Sequence, residues 1–189
     1  MIQLDKNNIF ASGSERDCYI HPNDNTKLIK IIKYKNNSYN QNDLEYRYYN
    51  YLQKQQVSFD HIAIYFGKVK TNLGEGLVFE RIIDFDNQAS KQLTYYIKNH
   101  MLTTVKEKKL LNELKLYLEQ NCILFMDVAT INVMCKKISK SNYKLIIIDG
   151  LGGKRVGFKS YLYMNFSLYT KYKIKKQWKR FLKMVENLK

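Results

Sequence analysis

Two apolar, β-rich runs joined by a glycine-bearing link restrict this chain most: IAIYFGKVKT (62–71), NLGEG (72–76) and GLVFERII (76–83). Glycines between such runs supply the backbone freedom of a tight turn, so the pair predicts an antiparallel hairpin. The stretch before it extends the same sheet. FASGSER (10–16) reads as a loop of small residues, CYIHP (18–22) as a strand end and NDNT (23–26) as a turn. KLIKIIKY (27–34) alternates lysine with branched residues, as a half-buried strand does. After a polar loop, NNSYNQN (36–42), the run DLEYRYYNYLQKQ (43–55) predicts a helix capped by Asp43, with Leu44, Tyr48, Tyr51 and Leu52 on one face. A β-rich N-terminal part with one embedded helix is therefore expected, and the motif order described below implies that its sheet is five-stranded and antiparallel.

The second part turns helical. The polar stretch DFDNQAS (84–90) leads to a short helix, LTYYIKNH (93–100). KEKKLLNELKLYLEQN (106–121) predicts a longer helix, with leucines 110, 111, 114 and 118 on one face and Asn121 ending it. A loop, ILFMDVATIN (123–132), precedes two short strands, NVMCKKI (132–138) and YKLIIID (143–149). From Leu168 to Leu188 the sequence predicts a strongly basic helix with Ile174, Trp178, Phe181, Leu182 and Val185 on its apolar side. The fold class is α+β, in two unequal parts with polar loops between them.

Composition narrows the partners. With 189 residues, 45% apolar and 14% aromatic, the chain can bury its own core. Cys18, Cys122 and Cys135 have no paired spacing, which argues against a disulfide framework or a zinc site. No apolar run reaches the roughly 18 residues of a membrane helix. MIQLDKNNIF lacks the apolar centre of a secretory leader, so the cytoplasm is the expected compartment. Lys and Arg exceed Asp and Glu by 15, which favours anionic partners. Sixteen tyrosines add a nucleic-acid reading, but no RNP, helix-turn-helix or zinc signature accompanies them, and specific nucleic-acid binding is not expected.

Four features fall in an order that suits phosphoryl transfer: Lys30 on a strand, Glu45 on the following helix, Asp127 and Asn132 in a D-x-x-x-x-N loop, and Asp149-Gly150 ending an apolar strand. Each alone has a plain reading: a solvated lysine, a surface acid, an Asx turn, a D-G turn. Together they supply an ammonium fixed by a carboxylate, a residue that orients an acceptor hydroxyl, and oxygen ligands for magnesium.

In these parts the chain resembles the protein-kinase-like superfamily. More closely it resembles the YrbL family of bacterial PhoP regulatory network proteins, in GSERDCYIHPND (13–24) with Ile29-Lys30, YFGKVKTNLGEGLVFERIIDFD (65–86), DVATINVM (127–134) and LIIIDGLGG (145–153). The resemblance implies a single kinase-like domain over 1–189, with a β-rich N-lobe over about 1–82 and a small, truncated helical C-lobe over about 83–189. It implies an ATP- and magnesium-dependent phosphotransferase. Lys30 would contact the α/β-phosphates and Glu45 would hold it. Gly13 and Ser14 would lie in the phosphate-covering turn, and Gly13 would allow close backbone approach. Glu80 and Ile82 would offer backbone groups to adenine. Asp127 would be the catalytic base, with Asn132 and Asp149 as metal ligands.

The kinase Gly-rich loop is reduced to Gly13, Phe125-Met126 replaces His-Arg before the aspartate, and 39 residues follow Gly150, leaving little platform for a peptide. A small-molecule or saccharide acceptor is thus expected in place of a protein. The alternative is a catalytically inactive pseudokinase, a nucleotide-binding or partner-docking regulatory module. The basic C-terminal helix adds an expected preference for an anionic acceptor and peripheral contact with an anionic membrane face.

Overall fold

The N-terminal strands pair into one antiparallel sheet. Its order is β1 (Ile9–Ser12), β2 (Arg16–His21), β3 (Asp24–Ile32), β5 (Gly74–Glu80) and β4 (Tyr65–Thr71). The structure is a computed structural model and describes residues 1–33, 41–153, 162–163 and 166–189. The sheet belongs to a unit formed by Met1–Gln55 and Ala63–Arg81, while Gln56–Ile62 and Ile82–Lys189 form a second unit. The number and antiparallel pairing of the strands are those expected, but three local assignments change. Part of the FASGSER loop is strand β1. The β2–β3 turn is Pro22-Asn23, since His21 already pairs with Asp24. The β4–β5 turn is Asn72-Leu73, because Thr71 pairs with Gly74. Of the polar loop expected over 36–42, residues 36–40 lie outside the described residues.

One sheet face packs Leu4, Tyr19, Ile29, Ile31 and Val78 together. Gly76 lies on this face, opposite Ile31. A Cβ there would stand 2.5 Å from Ile29 Cγ2 and 2.7 Å from Ile31 Cδ1. Gly76 is thus a flat spot under two isoleucines, not a turn residue. Gly76→Ala should destabilise the protein by about 1–3 kcal/mol, because the extra methyl overpacks a filled core. The check is the urea unfolding midpoint, and an unchanged or raised midpoint would refute this packing.

The other face carries helix α1 (Gln41–Lys54). Tyr49 meets Phe79 edge-on with ring centroids 5.0 Å apart, and Tyr65 lies 5.2 Å from Phe79. The buried residues of α1 are Asn42, Glu45, Tyr48, Tyr49 and Leu52, so Leu44 and Tyr51 are only half-buried. Asp43 lies in the first turn and is not the cap.

In the second unit, β6 (Lys91–Gln92), β7 (Val133–Lys137) and β8 (Tyr143–Ile147) form a three-stranded antiparallel sheet. Its helices include α2 (Leu93–Lys98), α3 (Thr104–Gln120) and α4 (Ser167–Glu186). The leucines expected on one face of α3, at 110, 111, 114 and 118, are all buried. Thr103 caps α3 by accepting from Lys106 N, and Asn121 ends it. Gln56–Ile62 is tied to this unit: Ile147 N donates to His61 O at 2.8 Å, and His61 Nδ1–H donates to Leu145 O at 2.8 Å. Burial holds His61 below its ordinary pKa, and its ring packs on Tyr117 at 5.0 Å.

Candidate functional site

The first candidate group lies within the N-terminal unit. On β3, Lys30 occupies the face opposite the isoleucine core, so it points toward α1 and not into solvent. Its Nζ lies 2.9 Å from Glu45 Oε1, with the two side chains only 8% and 3% exposed. The same ammonium stands 4.3 Å from the centroid of Phe79. Glu45 is shared: its other oxygen, Oε2, accepts a short hydrogen bond from Arg16 Nη1. Asn42, one helical turn before Glu45, accepts from Arg16 Nη1 through Oδ1 at 3.2 Å and donates to Lys30 O at 3.2 Å. Two cations and one carboxylate thus sit in a buried, hydrogen-bonded cluster.

Sequence reasoning found Lys30 and Glu45 but missed Arg16 and Asn42. The signal was present on α1: Asn42, Glu45, Tyr48, Tyr49 and Leu52 form one stripe at helical spacing. Polar residues in line with a buried stripe need buried partners.

Gly13 and Ser14 occupy the β1–β2 turn, closed by Gly13 N donating to Arg16 O at 2.8 Å. Lys33 Nζ donates to Gly13 O at 2.7 Å and pairs with Asp17 at 3.1 Å. A Cβ on Gly13 would lie 3.6 Å from Arg16 O, an ordinary contact. The turn itself therefore does not require glycine. At the end of β5, Glu80 N donates to Ile64 O at 2.8 Å, and beyond it Ile82 O accepts from Ser90 N at 3.1 Å. Those two backbone groups are committed to the protein.

The second group lies within the C-terminal unit, where the loop carrying Asp127 is laced to the segment carrying Asp149. Met126 N and Asp127 N both donate to Gly150 O, at 2.9 and 3.0 Å. Phe125 bridges Leu151, and Gly152 N donates to Leu124 O at 2.8 Å. Asn132 joins both strands of this lacing: its carbonyl accepts from Ile148 N at 2.9 Å, and its side-chain NH2 donates to Asp127 O at 3.0 Å. With the NH2 so used, the carboxamide oxygen of Asn132 is the atom that can ligate a cation. Asp149 Oδ1 accepts from Gly150 N at 2.7 Å. Gly150 adopts φ +83°, and a Cβ there would approach Asp127 O to 2.7 Å. Here glycine is required, both for the left-handed backbone and for the close passage of the Asp127 loop. The Asp127 residue is exposed.

Helix α4 supports the loop from beneath. Its buried residues are Thr170, Ile174, Gln177, Trp178, Phe181 and Val185, so Leu182, at 36% exposed, leaves the predicted stripe. Phe181 meets Phe125 edge-on at 5.6 Å, and Gln177 Nε2 donates to Met126 O at 2.6 Å. Gln177 was missed from the sequence, although a glutamine between Ile174 and Phe181 on an apolar face needs a partner. Nearby, Asp84 accepts from Ser90 Oγ and from Lys137 N, the latter at 2.9 Å, which pins the 84–90 loop to β7. Burial, with Asp84 adding to it, pushes the Cys135 thiol up to about 12, so this cysteine is inert packing.

Among the described residues no group of three or more His, Cys, Asp or Glu is disposed to hold a metal. The donor set of Asp149 and Asn132 instead fits magnesium carried by phosphates, which takes one or two protein oxygens and completes its shell with phosphate and water. No helix among the described residues is long and apolar enough to cross a membrane.

Mixed α+β architecture with a sheet-rich first unit and two buried or laced polar clusters defines the class. The sequence profile of the family described as PhoP regulatory network protein YrbL matches residues 2–186, and the chain belongs to that family. It is 31% identical over 155 residues to the Uncharacterized protein YrbL of Escherichia coli (strain K12), covering 80% of this chain and 74% of that protein. The Uncharacterized protein YrbL of Shigella flexneri matches with the same identity and coverage.

Proposed function

We propose that the chain is an ATP- and magnesium-dependent phosphotransferase of protein-kinase-like type, acting on a small or saccharide, anionic acceptor. The observation that carries this reading is the buried Lys30–Glu45 pair, with β3 supplying the lysine and α1 the glutamate. A buried ion cluster is a poor stability device, since well-packed apolar residues of similar volume serve as well or better. A lysine fixed by a helix carboxylate is, however, what contact with nucleotide phosphates needs. The order of the five strands, with the helix following the third, accords with the kinase-like resemblance.

In this reading the Asp127 carboxylate orients the acceptor hydroxyl and takes its proton as the oxygen attacks the γ-phosphorus and the bond to the ADP oxygen breaks. Asn132 fixes the loop through the Asp127 carbonyl, and Gln177 fixes it through the Met126 carbonyl. Magnesium, when bound through Asp149 and Asn132, supplies charge neutralisation at the phosphates.

The test is thermal unfolding with ATP, ADP and magnesium. At roughly a hundredfold excess over Kd, ATP with magnesium should add about 2.7 kcal/mol to native stability. Asp149→Ala should abolish the magnesium-dependent part of that gain. Undiminished stabilisation in the variant would remove the metal role from Asp149. Without any nucleotide-dependent shift in the native chain, the reading fails.

A pseudokinase is the second reading. It is favoured by the β1–β2 turn, whose Gly13 carbonyl and Ser12 hydroxyl are engaged by Lys33. Tight ATP binding without transfer to any acceptor would establish it. The family description refers to a PhoP regulatory network, which a nucleotide sensor or a kinase would both suit.

A further inference from the structure

We propose that the outward face of α4 docks on an anionic lipid bilayer. The helix buries one side through Thr170, Ile174, Trp178, Phe181 and Val185. Positions 168, 172, 175 and 179, spaced i, i+4, i+7 and i+11, run along one exposed stripe, on which Lys175 and Lys179 also line a groove with Glu107, Lys108, Lys115 and Glu119 of α3. The first two are apolar and protrude: Leu168 is 83% exposed and Tyr172 is 63% exposed. The next two are exposed lysines, flanked by exposed Lys171, Lys176 and Lys183. Within Ser167–Glu186 the sole acid is Glu186, at the last position.

A solvated helix accounts for the lysines but not for an aliphatic and an aromatic side chain held out in water beside them. A surface that is negative and also takes up apolar groups accounts for both. Nucleic acid would satisfy the lysines and could stack on Tyr172, yet it offers nothing to the branched end of Leu168. At a bilayer, lysines meet anionic headgroups, Tyr172 suits the wet interface, and Leu168 reaches the acyl boundary. The main apolar stripe of α4 is already spent on the protein core, so the attachment is shallow, reversible and salt-sensitive. The inference does not depend on the phosphotransfer reading, because binding is read without nucleotide.

The experiment is flotation of the full chain with phosphatidylcholine vesicles, alone and with about one-third phosphatidylglycerol. Binding is expected to the anionic vesicles only, falling roughly tenfold or more between about 0.1 M and about 0.5 M salt. Lys175→Gln/Lys176→Gln/Lys179→Gln should weaken it by roughly a hundredfold, at about one kcal/mol per charge. Leu168→Ser/Tyr172→Ser should weaken it about tenfold while leaving the salt dependence unchanged. All these side chains are exposed, and emission from the buried Trp178 verifies that each variant is folded. The proposal is overturned by no binding, by equal binding to neutral vesicles, by an unaffected Leu168/Tyr172 variant, or by capture of a duplex oligonucleotide in preference to the vesicles.

Discussion

Glu45→Ala should lower the free energy of unfolding by about 3–5 kcal/mol, a large part of the total stability of a domain of this size. The cause is specific. Arg16 and Lys30 both bond this one carboxylate, and all three side chains are withdrawn from water. Removing the carboxylate takes from both cations the acceptor they share, in a low-dielectric setting where repulsion between like charges is poorly screened. Glu45→Gln keeps the shape and one acceptor oxygen, so it should cost less than the alanine but still carry the charge imbalance. The informative companion is Arg16→Met/Lys30→Met/Glu45→Leu, which removes these three charges together. Stability should then return to near the native value or exceed it, as is found when buried ion clusters are replaced by packed apolar groups. Nucleotide-dependent stabilisation should be lost in that variant. Urea unfolding, with and without ATP and magnesium, measures both. If Glu45→Ala unfolds at the native urea midpoint, the shared-carboxylate account is wrong. If the apolar variant is stable and still gains from ATP, Lys30 has no part in nucleotide binding.

The elements were legible where periodicity was strong. The α3 leucines and the tryptophan–phenylalanine stripe of α4 repeat at helical spacing over several turns, and both helices stand where expected. Turns were less legible. Gly74 and Gly76 suggested the hairpin turn, yet both lie in β5, one with φ +120° and the other beneath Ile29 and Ile31. A glycine that relieves cross-face crowding cannot be told from a turn glycine until the strand register is known. Lys30 on its strand looked like one of several alternating lysines. Only the helix laid over that face distinguishes it from Lys27 and Lys33, which are more exposed and pair with Asp24 and Asp17. Arg16, Asn42 and Gln177 escaped because each acts through a hydrogen bond to a residue far along the chain. Composition carries no record of such pairings, although Asn42 and Gln177 each interrupt an otherwise buried stripe. Asp127 and Asn132 were singled out by spacing and Asp149 by its place at the end of an apolar strand, and the structure adds that Gly150 is the point through which their segments are laced.

Asp127→Asn should reduce phosphoryl transfer by roughly a thousandfold, within the range that a positioned general base contributes, while ATP affinity stays nearly constant. The expected separation follows from which atoms do which job. The bonds from this loop to Gly150 O and from the Asn132 side chain run through the backbone N–H and C=O of Asp127. Asparagine preserves those bonds and the side-chain volume, so the loop and the Asp149 segment keep their geometry. Only the negative charge and the proton-accepting oxygen disappear. A group that acts in the transition state alone lowers kcat without weakening ground-state binding. Single-turnover transfer and an ATP titration, run on the same preparations, separate the two. An equal loss of rate and affinity would mean that Asp127 binds nucleotide or metal in the ground state. Undiminished transfer would remove it from the chemistry. If the native chain binds ATP tightly and neither protein transfers phosphate to sugars, sugar phosphates or water, the Asp127 loop is a preserved scaffold and the chain is a nucleotide-binding regulator.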